Sequence, residues 1–247
     1  DDAKKSLQFA SKSSKGSSFS YWKNRGPGNV GGRTRAVAID RNNENVILAG
    51  GVSGGLWRSR DGGRTWRKVT RRFQNPSVTA IVQDPRSGKG LSWYYGSGER
   101  SGGGASEIGA FFQGNGIFKS QDGGRTWKEL EATINQNIGT FESAFDLIND
   151  LVINPTNGDL FVATFNGLFR SQDGGNTFDE VLQTGFDSFV EVSITSTGIL
   201  YASTSVNATP NAGFFTSNDN GETWTNITPP NFIPAYGRSK IGIDHSN

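Results

Sequence analysis

Two acidic residues of this sequence, Asp150 and Glu191, have the residue type and setting for acid–base chemistry on a sugar. Each stands at the start of a short apolar stretch, at a position that earlier stretches fill with Ala36 and Thr79. Glycosidic cleavage uses two carboxyl groups, about 5–5.5 Å apart for retention or about 6.5–9.5 Å apart for inversion. The pair is therefore a candidate catalytic pair. We nevertheless expect structural acids whose carboxyl groups face different seams and bond to neighbours such as Arg35 or Thr79.

Cationic and aromatic side chains form a second group of candidates, for ligand binding. Arg33 and Arg35 precede the first apolar stretch, and Arg238 and Lys240 precede a later echo of it. Such cations suit an anionic ligand or an acidic protein patch, and solvated charges at strand ends are the alternative. A long loop at 96–115 supplies the remaining candidates, Glu99, Arg100, Glu107, Phe111 and Phe112.

Several other chemistries lack the residues they need. The chain has no Cys and a single His, His245, which leaves little for thiol or Ser-His-Asp catalysis. The glycines at 102–104 lack the Lys-Ser/Thr ending of a phosphate-binding loop. The Asp-x-x-Gly segments lack the further oxygen ligands of a calcium loop. We therefore predict no metal site and no cofactor.

A repeated motif shows what must position these residues. It occurs four times, 61, 51 and 46 residues apart, as Ser59–Trp66, Ser120–Trp127, Ser171–Phe178 and Ser217–Trp224. Each copy follows a short aromatic segment and two earlier apolar segments, and a further segment follows it. Repeats of this length indicate propellers, solenoids or arrays. Four antiparallel strands per repeat make one blade of a β-propeller, so the sequence predicts an all-β propeller.

The motif itself reads as a hairpin turn (in its fullest form Ser-x-Asp-Gly-Gly-x-Thr-Trp) rather than as a ligand site. Its glycine pairs allow a tight reversal, and its Asp, Ser and Thr side chains can bond to the turn. Its last ring is expected to be buried between blades. The residues predicted to be structural are Asp61, Trp66, Asp122, Trp127, Asp173, Phe178, Asp219 and Trp224.

These residues resemble the Asp-box, or bacterial neuraminidase, repeat. The resemblance covers roughly residues 26–247 and implies a scaffold shared by sialidases, xyloglucan-degrading hydrolases and sortilin-type receptors. The first blade looks most like secreted bacterial Asp-box proteins, many of which carry a type IX sorting domain. The arginine cluster and Tyr–Glu pair of sialidases have no match here. The catalytic aspartate segments of the xyloglucan branch have none either.

The chain is expected to divide into an arm and a propeller. Residues 1–25 are rich in Ser and Lys and read as a polar arm or linker. Residues 26–247 form the propeller, with blades at about 33–70, 78–131, 147–182 and 190–228. The segment 237–247 is predicted to start a fifth blade. Further sequence or another chain is then expected to close the ring.

The loops predict where a ligand binds. Motif turns should share one face with the first-to-second turns, whereas the long insertions gather on the other face. We predict a protein- or glycan-binding module that uses the insertion face, without catalysis. The alternative is a glycoside hydrolase of an Asp-box propeller family, and variable loops without a ligand remain open as well.

Charge and hydropathy limit the classes of partner and the cellular location that we expect. Residues 26–247 carry a slight negative balance, which argues against nucleic acid, and no segment is long and apolar enough to cross a membrane. The resemblance implies a secreted or cell-surface bacterial protein. It also implies components of a secretion or surface complex as further partners.

Overall fold

The described residues of the protein form four antiparallel sheets of four strands each. The computed structural model describes residues 33–99, 112–137, 139–185, 188–205, 211–232 and 238–243. Helical structure within these ranges is limited to two 3-10 turns, Glu131–Thr133 and Ala144–Asp146. The predicted all-β propeller class is confirmed. The predicted arm at 1–25 lies outside the described residues.

Each sheet is one blade, and its strands pair in chain order. Blade one contains β1 (Thr34–Ile39), β2 (Ile47–Gly51), β3 (Gly55–Ser59) and β4 (Arg67–Lys68). Blade two contains β5 (Ala80–Gln83), β6 (Trp93–Gly96), β7 (Ile117–Ser120) and β8 (Lys128–Glu129). Blade three contains β9 (Ile148–Ile153), β10 (Leu160–Thr164), β11 (Gly167–Ser171) and β12 (Asp179–Gln183). Blade four contains β13 (Val190–Ile194), β14 (Leu200–Thr204), β15 (Gly213–Ser217) and β16 (Thr225–Asn226).

The first strands of neighbouring blades lie side by side, so they form the inner layer of the propeller. β1 lies beside β5, β5 beside β9 and β9 beside β13. Because blades stack on both sides of these sheets, a middle strand such as β10 is buried along its whole length.

The predicted fifth inner strand is not formed as a strand. Residues 238–243 have no regular secondary structure, because an inner strand needs a second strand of its own blade for its ladder and no described residue pairs with it. Side chains of blade four hold the segment instead. Ser193 Oγ donates to the carbonyl of Ile241 at 2.9 Å, and Ser203 Oγ donates to that of Ser239 at 2.8 Å.

The repeat motif makes the same hydrogen bonds in every blade. The Ser hydroxyl donates to the Asp carboxylate at 2.7–2.9 Å and accepts from a glycine N–H at 2.8–2.9 Å. The Thr hydroxyl and the Thr N–H both donate to the same carboxylate at 2.5–2.9 Å. One carboxylate thus closes each turn.

A repeated cation joins each described blade to the next, and the sequence analysis did not identify it. The residue before the motif Ser donates to the backbone carbonyl at motif position four of the next blade. The pairs are Arg58 Nε to Gly123 at 2.9 Å, Lys119 Nζ to Gly174 at 2.8 Å and Arg170 Nη1 to Asn220 at 2.8 Å. The fourth blade has Thr216 at this position.

Apolar side chains fill each seam between two blades. In the first seam, Leu48 of blade one packs with Tyr95 and Trp127 of blade two, and the Tyr95 ring stacks on Phe118 at 4.5 Å between centroids. Similar clusters join blades two and three and blades three and four. The side of blade one that faces away from blade two differs, because Val37 of β1 is 63% exposed there.

The turns divide the propeller into two faces. The motif turns and the first-to-second turns form one face, here called the motif face. The N–H of Gly62, for example, donates to the carbonyl of Asn45, and that of Gly123 donates to that of Leu91. The opposite face, here called the loop face, carries the second-to-third loops and the connections between blades. The inner strands β1, β5, β9 and β13 begin at the loop face.

Candidate functional site

The two candidate acids lie together at the loop-face end of the inner strands. Asp150 is on β9 and Glu191 is on β13. Lys240 Nζ donates to Oδ2 of Asp150 at 2.9 Å and to Oε2 of Glu191 at 3.1 Å. Because both oxygens bond to one nitrogen, they lie no more than about 6 Å apart. Our expectation that the two carboxyl groups face different seams was wrong.

The partners of these acids also differ from those we expected. Arg35 bonds to Glu99, and Thr79 donates to the carbonyl of Ile148 at 2.6 Å. The acids instead contact the segment 238–243, which lies beside blade four. These contacts join residues that are 47–90 positions apart in the sequence. Alignment of the inner strands alone does not reveal such tertiary contacts.

Glu191 is the most enclosed member of this group. Its side chain is 3% exposed, and Oε1 contacts the guanidinium of Arg238. Burial and the negative charge of Asp150 raise the pKa of Glu191 above its ordinary value, and Lys240 offsets this in part. Burial lowers the pKa of Lys240, but the two carboxylates outweigh it and raise that pKa. Asp150, Glu191, Arg238 and Lys240 together are called the ionic cluster below.

A second buried carboxylate is held in the same manner between blades one and two. Glu99 follows β6, and its side chain is 5% exposed. Arg33 Nη2 lies 3.2 Å from Glu99 Oε2, and Arg35 Nε donates to the same oxygen at 3.1 Å. These cations neutralise an acid of the protein, so the charge they offer to an anionic ligand is much reduced.

The two cation pairs occupy matching sequence positions. Arg33 and Arg35 correspond to Arg238 and Lys240 in the echoed segment. Each pair begins an inner-strand sequence and encloses one buried glutamate. The cations can be recognised in the sequence but their acids cannot, because Glu99 lies in a loop of different length from its counterparts.

The loop face of blade two carries two partly exposed rings, and a side-chain amide links the two segments that contain them. Glu99 and Phe112 form an isolated antiparallel bridge, and Phe112 is 36% exposed. Gln113 donates to the carbonyl of Thr140 at 2.7 Å and so ties the loop to the blade connection. Phe141, next to Thr140, is 38% exposed. The candidates Arg100, Glu107 and Phe111 lie outside the described residues.

A buried aspartate fixes that connection, and the sequence analysis missed it. Asp146 is fully buried, and its carboxylate accepts from the side-chain amide of Asn135 at 3.0 Å. It also accepts from the N–H of Ser143, while Ser143 Oγ accepts from Phe145. The signal in the sequence is the Ser-x-x-Asp spacing of a capping box.

Neither a metal-binding cluster nor a membrane-spanning helix is present among the described residues. Among the described residues, no group of three or more His, Asp or Glu side chains is placed to hold a metal ion. The same part of the chain contains no helix of the length and apolarity that a membrane span needs.

Comparisons with known proteins place the chain among β-propellers. No family model matches the sequence. A xyloglucanase of Paenibacillus sp is 30% identical over 228 residues, which cover 81% of this chain but 21% of that protein. An ancestral GH74 enzyme superposes with a TM-score of 0.60 at 22% identity, over 79% of this chain and 25% of that one.

A third similarity is to an extracellular domain. The extracellular domain of a one-component system from B. thetaiotaomicron superposes with a TM-score of 0.53 at 14% identity, over 78% of this chain and 22% of that one. This chain thus spans about a fifth to a quarter of these proteins. The chain has a β-propeller fold and is similar in sequence to xyloglucanases.

Proposed function

We propose that this chain is part of a carbohydrate-active β-propeller protein whose loop face binds a xyloglucan-type polysaccharide. The observation that carries the proposal is the similarity to a protein named xyloglucanase over 81% of the chain. The resemblance of the repeat motif to Asp-box repeats, which some polysaccharide hydrolases share, supports it.

The loop face offers the side chains that a neutral sugar needs. Rings such as Phe112 and Phe141 can stack on the C–H faces of pyranose units, and each is more than one-third exposed. Gln113 follows Phe112 in the chain, and its side-chain amide is fixed by a bond to the carbonyl of Thr140, which precedes Phe141. A few fixed polar groups beside apolar rings are typical of small-ligand sites.

Binding without cleavage fits the ionic cluster better than hydrolysis does. A general acid must come within about 2.6–3.2 Å of the oxygen that it protonates. Glu191 is 3% exposed and is enclosed by Arg238 and Lys240. Substrate can reach it only if Lys240, which is 65% exposed, moves away.

Hydrolysis is the second candidate, and a specific observation favours it. Asp150 and Glu191 both bond to Lys240 Nζ, and the pKa of Glu191 is raised. A carboxyl group with a raised pKa can serve as the general acid beside a second carboxyl group. In this alternative, Glu191 protonates the leaving oxygen and Asp150 acts on the opposite side of the sugar.

One set of assays separates the two candidates. Titration calorimetry with xyloglucan oligosaccharides measures binding, and release of reducing ends measures cleavage. We expect binding without cleavage, and an Asp150→Asn/Glu191→Gln double variant that binds as the unchanged protein does. Cleavage that the double variant abolishes would establish hydrolysis instead, and absence of binding to any glycan would refute the proposal.

We also propose an extracellular or cell-surface location, with a surface complex as a further partner. The similarity to an extracellular domain and to secreted bacterial Asp-box proteins supports it. Fractionation of the source cells tests it directly, and recovery of the protein only from the cytoplasm would contradict it.

A further inference from the structure

The seam between blades two and three holds two adjoining grooves, and neither is lined by Phe112 or Phe141. Their volumes are 690 and 370 Å³, and both are lined by Lys119, Gln121 and Gly174. The larger groove follows β8, and the smaller one reaches the first-to-second turns of both blades. The side chain of Lys119 stands between them, where Nζ donates to Gly174 and lies 5.1 Å from the centre of the Tyr94 ring.

The interblade cation of this seam differs from those of its neighbours. Arg58 and Arg170 fill the equivalent position in the adjoining seams and are 8% and 6% exposed. Lys119 is only half-buried. Lysine makes the same bond to the next motif with one nitrogen, whereas a guanidinium adds a planar group and further donors. The lysine therefore keeps the interblade bond and leaves room beside it.

The larger groove is polar and electrically balanced. Its charged lining residues are Arg71, Lys119, Lys128, Asp122, Glu129 and Glu131. Three cations and three acids give no net charge, and together they supply both donors and acceptors. Such a lining suits a neutral ligand rich in hydroxyl groups better than an ion.

An exposed ring stands at the edge of this groove. Phe73 is 94% exposed and lies in a turn closed by a bond from the N–H of Gln74 to the carbonyl of Arg71 at 3.1 Å. The side chain of Gln74 donates to the carbonyl of Trp127 at 3.0 Å, and both Arg71 and Trp127 line the groove. The turn is therefore attached to the groove wall.

We propose that this groove, with the turn of Phe73 attached to its wall, is a second binding site for a neutral oligosaccharide, separate from the site at Phe112 and Phe141. The inference rests on the proposed function, since both assign a carbohydrate ligand. Phe73 stacks on one sugar ring, and the groove lined by β8 holds the hydroxyl groups of the next units. A polysaccharide chain can then contact the protein at two places.

Hydrogen-exchange mass spectrometry of the whole protein, with a xyloglucan oligosaccharide as the probe, tests this site separately from the loop-face site at Phe112 and Phe141. We expect protection in two regions, at 121–131 for the groove and at 112–117 with 139–147 for the loop face. An oligouronate of equal length serves as the charged comparison. It should protect the groove less.

Two variants sharpen the assignment. Lys119→Arg installs the residue of the neighbouring seams, so it should preserve thermal stability while filling the groove. We expect the oligosaccharide concentration that protects 121–131 to rise at least about fivefold, which is a loss of about 1 kcal/mol in binding free energy. Phe73→Ala should do the same without affecting folding, since the ring is exposed. Ile227→Ala, an exposed apolar residue of blade four, is the matched control.

Each result decides one proposal or both. Protection of the groove that Lys119→Arg and Phe73→Ala both weaken supports the second site, whatever happens on the loop face. Protection confined to 112–117 and 139–147, or groove protection that neither variant changes, overturns the second site and leaves the proposed function standing. Protection nowhere overturns both.

Discussion

The two faces of this propeller are built by different kinds of contact. On the motif face, one carboxylate closes each turn through partners two to four residues away, and all four turns repeat the pattern. On the loop face, the bonds of Glu99, Asp150 and Glu191 join residues 47–90 positions apart. The motif face is thus a repeated local structure, whereas each contact of the loop face occurs once and depends on the whole fold.

The largest effect is expected where the loop face packs backbone against backbone. Gly98 has a φ of +90°, and a Cβ there would stand 2.0 Å from the carbonyl oxygen of Asp146. Gly98→Ala should destabilise the protein by at least about 3 kcal/mol in a denaturant titration. Gly88, on the motif face, has a φ of +75° but no atom within 4 Å of its Cβ position. Gly88→Ala should therefore lose only about 1 kcal/mol, and equal losses would contradict the packing described.

The next effect concerns the ionic cluster. Arg238→Met leaves the buried Glu191 with Lys240 as its cation, so we expect a loss of about 2 kcal/mol and faster hydrogen exchange in 238–243. Lys240→Met removes a mostly exposed cation and should lose about 1 kcal/mol or less. If both variants exchange like the unchanged protein, the cluster does not hold this segment.

A smaller effect is expected from a single motif turn. Asp122→Ala removes the acceptor of four hydrogen bonds, and we expect a loss of about 1–3 kcal/mol. Thr126→Val removes one of these bonds and should lose less. Denaturant titrations of the two variants measure their unfolding free energies and show which loss is larger.

The same aspartate predicts how this loss depends on pH. Burial raises its pKa, but bonds from Thr126, Ser120 and the N–H of Arg125 outweigh that and lower it to about 2. Its stabilisation is therefore present above the unfolded pKa of about 4 and is lost as the pH falls through 2. The stability curves of the unchanged protein and Asp122→Ala should converge over this range, and a constant gap would contradict the hydrogen bonding described.

The contrast between the faces also explains what the sequence could predict. The propeller class and the number of four-stranded sheets follow from the motif, because its hydrogen bonds are local and its period is visible. Aligning the inner strands places Asp150 and Glu191 on neighbouring strands, and β9 lies beside β13. Their shared contact with Lys240 was not predicted, because nothing within either strand encodes a cation 49 or 90 residues away.

Other features were visible in the sequence but not interpreted. The residues before each motif Ser are Arg58, Lys119, Arg170 and Thr216, so the interblade cation could have been read from the repeats. The groove beside Lys119 could not, since it depends on how the lysine packs against the next blade.

The central claim is that the loop face binds the polysaccharide, and titration of one pair of variants with a xyloglucan oligosaccharide tests it most directly. Phe112→Ala/Phe141→Ala removes both exposed rings of the loop face, whereas Asp219→Ala alters a motif turn that lines neither groove. We predict that the first variant loses about tenfold or more in affinity and that the second, once folded, binds like the unchanged protein. Unchanged affinity in the loop-face variant together with weakened binding in the motif variant would contradict the account.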